Sequence, residues 1–293
     1  MADGVLRGLL PGDLRVVVAV VTDTAREARA RHRLAPTSAA LLGQAIAGGA
    51  LLAALQKGDS RVNLQVECDG QLKGLFVDAG ADGTVRGYAK NPHVDLELQE
   101  GDFRWRGALG NSGFLSVLRD LGTEYYRSSV ALVAMDLAKD LHHYFETSDQ
   151  VPTRVAIATR RAEAEPLGAV VGVLLQALPD GDRHALAEQG QALESRLERA
   201  LAEEKSPSPQ TIFSALFPKQ QPLEGHPVAF RCTCSRARAL ETVKSLGAAD
   251  VQHLVDDLGS TAVTCHFCGT KHEISLPDLF QILEELGAGA PRN

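Results

Sequence analysis

The chain has 293 residues, 44% of them hydrophobic and 23% charged, values of a folded globular protein with room for two domains; on composition, disorder and fibrous architectures are excluded. A net charge of -7 offers no general attraction to phosphate backbones or anionic lipid, so neither nucleic acid nor a membrane is expected as a partner. The opening MADGVLRGLLPGDLR lacks a basic segment followed by a long apolar run, so no secretory signal is read there and a cytoplasmic location is expected.

Leu14 to Thr22 is an unbroken β-branched and apolar run, the pattern of a buried strand. Two helical segments follow, up to Gln56. The second lies in an uncharged stretch, Leu34 to Gln56, long enough to cross a membrane, but it is rich in Ala and carries Ser38, Gln44 and Gln56. A buried helix starting near Pro36, with Gly43, Gly48 and Gly49 allowing close packing, fits it better. Strand patterns then succeed one another: Arg61 to Glu67, Leu72 to Val77, Thr84 to Ala89, Phe103 to Leu109, Phe114 to Leu118 and Tyr126 to Val133. Asp136 to Phe145 reads as a short helix, and Val155 to Ala158 and Ala169 to Leu175 as apolar strands. Grouped strands with helices at either end, without βαβ alternation, predict an α+β domain over residues 1–179.

From Pro179 the pattern changes. Leu186, Leu193, Leu197 and Leu201 recur with Glu and Arg between them, predicting an amphipathic helix; Pro207, Pro209, Pro218, Pro222 and Pro227 then break the chain, with Ser208 and Pro209 placed as cap and first residue of a short helix. Residues 180–229 read either as a linker or as a helix packed permanently on the first domain, and 230–293 as a small C-terminal module.

Four of the five cysteines fall in that module, as Cys232-Thr233-Cys234 and Cys265-His266-Phe267-Cys268, with 30 residues between the pairs. Zn²⁺ favours tetrahedral thiolate ligation, and CxxC followed by Gly269 suits a knuckle aiming both sulfurs at one ion. In CxC the ligands sit two apart, on one side of an extended segment. Four sulfurs can close one site, and metal binding would then supply much of the folding free energy of so small a module. Lasting disulfides are rare in the cytosol, so two close thiol pairs indicate an inert zinc anchor, a redox device, or both; oxidation of either pair can close a local disulfide and eject the ion. A mixed site of Cys265, Cys268 and His272 is the other ligand set the spacing allows. Cys68, at a strand end, reads as a partly buried structural thiol.

Other chemistries leave no trace. The chain holds no Gly-Lys dipeptide and hence no Walker A loop, and no GxSxG, HExxH or dinucleotide fingerprint. Gly110-Asn111-Ser112-Gly113 is a β-turn sequence. The last 65 residues carry six basic and eight acidic side chains, unlike a basic nucleic-acid finger. An enzyme of unknown reaction with an inert zinc anchor is the alternative class.

The pairs FRCTCSRARALETVKSL and CHFCGTKHEIS, with LLGQAIAGGALLAALQKGDSRVNLQVECDGQLKGLFV, TVRGYAKNP, YFETSDQVPTRVAIA and GVLLQALP upstream in order, resemble the heat shock protein 33 family of redox-regulated holdase chaperones. The resemblance implies an ATP-independent chaperone rather than an enzyme, cytoplasmic, inactive when reduced with one Zn²⁺ on Cys232, Cys234, Cys265 and Cys268. It further implies that oxidation pairs Cys265 with Cys268 and Cys232 with Cys234, releases zinc, loosens the C-terminal redox switch and adjoining linker, and yields a homodimer that holds unfolding client proteins. On this reading the stripe Leu186, Leu193, Leu197 and Leu201 is the candidate client-binding surface.

Overall fold

The unbroken apolar run near the N-terminus is a strand covered on both faces, and the rest of the first unit is arranged around it. The computed structural model describes residues 3–96, 105–122, 124–162 and 167–287, and the chain divides into two units, Met1–Arg231 and Cys232–Asn293. The architecture is α+β.

In the first unit β1 (Gly4–Leu10) and β2 (Leu14–Val20) form a hairpin, followed by α1 (Thr22–His32), α2 (Pro36–Ala53), β3 (Arg61–Cys68), β4 (Gly74–Gly80), β5 (Thr84–Ala89), α3 (Trp105–Leu109), β6 (Gly113–Asp120), β7 (Tyr125–Ala131) and α4 (Leu137–Tyr144). A wide π-type turn, Phe145–Asp149, leads to β8 (Thr153–Arg160) and β9 (Ala169–Ala177); then come α5 (Arg183–Gln191), α6 (Leu193–Glu203), α7 (Pro209–Leu216), β10 (Pro222–Pro227) and β11 (Ala229–Phe230). The strands make two sheets, ordered β10-β1-β2-β9-β8 and β11-β5-β4-β3-β6-β7. All pairings are antiparallel except that of β11 with β5.

Helix α2 packs against both sheets. Its apolar window is 94% buried, which makes it a core helix. A Cβ at Gly43 would stand 3.3 Å from Val170 on β9 and one at Gly49 only 2.6 Å from Val77 on β4, so these two positions let a sheet close on each side of the helix. Strand β3 obeys its alternation: Val62, Leu64 and Val66 enter the core while Arg61, Asn63, Gln65 and Glu67 do not. Strands β2 and β9 are buried on both faces. Val17, Ala19, Val170 and Leu174 join the α2 side, and Val16, Val18, Val171 and Val173 join a second core beneath α5, α6 and α7.

Leu186, Leu193, Leu197 and Leu201 lie in that second core, at most 3% exposed. The stripe belongs to two helices rather than one, with the break at Ala192, whose backbone leaves the helical region; beside it Gly190 approaches the Arg154 side chain so closely that a Cβ there would meet it at 2.5 Å. Asp182 caps α5 by accepting the amides of His184 and Ala185. Arg160 on β8 donates to the carbonyl of Leu201 and, at 2.6 Å, to that of Glu204, satisfying the end of α6. Ser208 caps α7 with a reciprocal bond from Thr211, as its sequence predicts.

Phe103 to Leu109 departs from expectation. Residues 103–104 lie outside the described residues, and Trp105–Leu109 is a helical turn rather than a strand. The carbonyls of Ala108 and Leu109 accept the amides of Leu72 and Gly70, so the segment's hydrogen bonds go to a neighbouring loop and not to a ladder. Strands β1 and β10 had no period-two signature to betray them, the first broken by Gly4 and Gly8, the second bounded by prolines.

The second unit contains α8 (Arg236–Lys244), α9 (Ala248–Leu258), the hairpin β12 (Thr261–Thr264) and β13 (Lys271–Ile274), and α10 (Leu276–Glu285). Its core is small: Ala239, Val243, Val251, Ile274, Leu279, Ile282 and Leu283.

Candidate metal centre

The hairpin of the second unit turns through Cys265–Thr270. The amide of Cys265 donates to the Thr270 carbonyl at 2.9 Å, and that of Gly269 donates back to the Cys265 carbonyl at 2.8 Å. Gly269 has φ 71°, the left-handed conformation that a residue with a side chain rarely adopts. This knuckle points Cys265 and Cys268 to the same side. The other pair precedes α8, whose cap Ser235 accepts the Arg238 amide; Arg238 in turn donates to the Thr233 hydroxyl between the two cysteines. Arg236 pairs at 2.5 Å with Asp278, which also receives the Ser275 amide, so the starts of α8 and α10 are tied together.

These supports bring the sulfurs of Cys232, Cys234, Cys265 and Cys268 within 4.8 Å of one another. Cys232 lies 3.7 Å from Cys265 and Cys234 3.4 Å from Cys268. None of the four is joined in a disulfide, and these separations are well beyond an S–S bond of about 2.05 Å. They are close to the edge of a tetrahedron built on Zn–S bonds of about 2.3 Å, which is about 3.8 Å. The donor set therefore fits one zinc ion. Among the described residues the group includes neither His266 nor His272, so the mixed Cys and His alternative is not the arrangement formed.

The electrostatics favour a cation. At Cys268 burial opposes ionisation, but the Thr270 hydroxyl and amide and the neighbouring thiols of Cys234 and Cys265 stabilise the thiolate and bring the group down to about 7. Burial pushes the Cys234 and Cys265 thiols up, and donating to their neighbours pushes them further. These hydrogen bonds favour the thiolate of one of the four sulfurs near neutrality. Thr270, 3.2 Å from Cys268 Sγ, is a site residue the sequence reading missed; its place just after Cys268-Gly269 was the available signal. Cys68 stands outside the group, its thiol pushed up by burial.

A family profile described as Hsp33 protein matches residues 3–275. Relatives named 33 kDa chaperonin include those of Cyanothece sp., 37% identical over 99% of each chain, and Gloeobacter violaceus, 35% identical over 98% of this chain and 97% of that one. The one from Geobacillus sp. is 32% identical over 96% and 97%. Among solved structures, the 33 kDa chaperonin (heat shock protein 33 homolog) of Thermotoga maritima superposes with a TM-score of 0.82 at 26% identity, covering 97% of this chain and 99% of that one. The α+β fold, the four-sulfur cluster and these near full-length matches agree: the chain belongs to the Hsp33 family of chaperones.

Proposed function

We propose that the chain is a redox-gated, ATP-independent holdase of the cytoplasm, with no enzymatic activity, silent while its four thiols hold Zn²⁺ and able to bind unfolding proteins once they are oxidised. The observation that carries this reading is the convergence of Cys232, Cys234, Cys265 and Cys268 in a unit with a core of seven residues. Burying seven apolar side chains contributes at most about 20 kcal/mol, and zinc ligation in small modules about 10 to 16 kcal/mol. Loss of the ligand set removes nearly as much as loss of the core. Bound zinc supplies the folding free energy of the second unit and keeps the thiolates from reacting freely.

Hydrogen peroxide is the oxidant class the site suits. Counted from the thiols, two peroxide molecules accept four electrons and four protons, the Cys232–Cys234 and Cys265–Cys268 bonds form, and four waters leave. The resulting disulfides lack the thiolate charge that binds the ion. Each pair is close enough in sequence to bridge without moving the other. The oxidised protein acts as a homodimer, and Leu186, Leu193, Leu197 and Leu201 form its client surface. Covering four leucines stabilises the closed layer by about 6 to 12 kcal/mol, so exposing them must be offset by apolar surface that the client buries.

The test is zinc content, thiol number and suppression of client aggregation before and after peroxide. One zinc released per chain, four thiols consumed and suppression gained together are the expected result. Suppression unchanged by oxidation would defeat the proposal.

A further inference from the structure

The outermost strand at one edge of each sheet comes from a single stretch of chain. Residues 222–227 form β10 on the free side of β1, with Gly4 opposite Pro227, Val5 opposite His226 and Leu6 opposite Gly225. Two residues later β11 lies parallel to β5, the Ala229 amide donating to the Gly83 carbonyl at 3.0 Å and the Arg231 amide to that of Val85 at 2.9 Å. The next residue is Cys232. The stretch is held mainly through its backbone. No residue of β10 is buried, four of its six are exposed and Leu223 is 65% exposed. Val228 and the half-buried Phe230, beneath Arg31 at 5.1 Å, are the apolar anchors. Apart from Gly225, where a Cβ would meet the Val5 carbonyl oxygen at 2.6 Å, and Glu224, which pairs with Arg7 at 2.9 Å, the β1 edge makes little demand on the side chains of the strand beside it, which suits a binder of unrelated unfolded sequences.

We propose that residues 222–231 are a displaceable placeholder, and that an extended segment of an unfolding client adds to the β1 and β5 edges in their stead. This rests on the holdase reading. The segment ends at the first thiol of the cluster, so the loss of order that follows oxidation of Cys232 begins where β11 stops. The client is recognised by its backbone amides and carbonyls, as in strand addition generally. The apolar layer over the second core can bind client side chains independently of this.

Hydrogen exchange tests the proposal. In reduced, zinc-loaded protein the amides of Gly4–Leu10 that face β10 are expected to be protected, to lose protection after peroxide, and to regain it with a bound client. The probe is a capped Val/Thr-alternating peptide of about ten residues with a glycine at its centre to lie opposite Leu6, beside the same peptide N-methylated at every second residue, which is expected to bind about tenfold more weakly or worse. Equal affinity of the two peptides would overturn the proposal. So would β1 and β5 edges that stay protected while oxidised protein holds clients, a result that leaves the holdase reading standing. Gly225→Val supplies an arm independent of oxidation: a Cβ there stands 2.6 Å from the Val5 carbonyl oxygen, so the side chain forces β10 away from β1. Reduced Gly225→Val is expected to bind the parent peptide while unmodified reduced protein does not; its failure to bind, with the β1 amides exchanging, would sink the proposal even if oxidation proved to activate nothing.

Discussion

The Thr270 hydroxyl lies 3.2 Å from the sulfur of Cys268, the one buried thiol of the cluster. A hydroxyl placed there donates to the thiolate and fixes its orientation toward the other three sulfurs. Groups that support a metal ligand in this way are worth about 10- to 100-fold in affinity. Thr270→Val is expected to lower zinc affinity by such a factor, measured by competition with a chromogenic chelator, whereas Thr270→Ser retains it.

The spread among the thiols belongs to the folded cluster: there Cys268 is brought down to about 7 and is the first to ionise as pH rises, while Cys234 and Cys265, pushed up, lag behind. Chelation, which removes the fold that creates these differences, is expected to erase them. Alkylation of metal-free reduced protein followed by peptide mass mapping is expected to label Cys234, Cys265 and Cys268 alike, with half-maximal rates near the ordinary thiol value of about 8.5. Preferential labelling of Cys268 near pH 7 in that protein would show that the cluster keeps its hydrogen bonds without zinc and would contradict a unit folded by its metal.

Chelation separates the two units. Removing zinc from reduced protein is expected to abolish exchange protection in α8, α9 and α10 while β2, β3 and β9 keep theirs, because the first unit has two extensive cores and the second, among the described residues, an apolar core of only seven.

Packing at the centre of the first unit leaves no slack. A side chain at Gly49 meets Val77 Cγ1 at 2.6 Å, and Val77 is β-branched with little rotamer freedom. Gly49→Ala is expected to destabilise the unit by about 1 to 3 kcal/mol in denaturant titrations. Leu197→Ala, emptying a site that is fully buried, is expected to cost about 2 to 5 kcal/mol.

The metal cluster was legible because spacing within a chelating pair survives any fold: CxC and CxxC bring their sulfurs together locally, and only the meeting of the two pairs needed tertiary structure. Buried strands with apolar runs, such as Ala169 to Leu175 within β9, and strict alternation, as in β3, were equally plain. Edge strands were not. Pro222–Pro227 is exposed along most of its length and is a strand solely because β1 offers it hydrogen bonds, so no periodicity marks it. Trp105–Leu109 failed for the converse reason: its partners, Gly70 and Leu72, are distant in sequence, and their amides determine what the short segment does with its carbonyls. Thr270 was missed although its place two residues after Cys268 was a signal, because that position does not by itself say that the hydroxyl turns toward the sulfur.

Strand β2 pairs with β9 from Leu14 opposite Ala177 to Val20 opposite Val171. Once it has left the ribosome, the β1–β2 hairpin therefore has one long hydrophobic edge with no partner until some 150 residues later, and at about 5 to 20 residues per second that wait is on the order of ten seconds. During synthesis this chaperone is itself an aggregation-prone nascent chain, and its yield in the cell should be limited by how well that waiting hairpin is shielded.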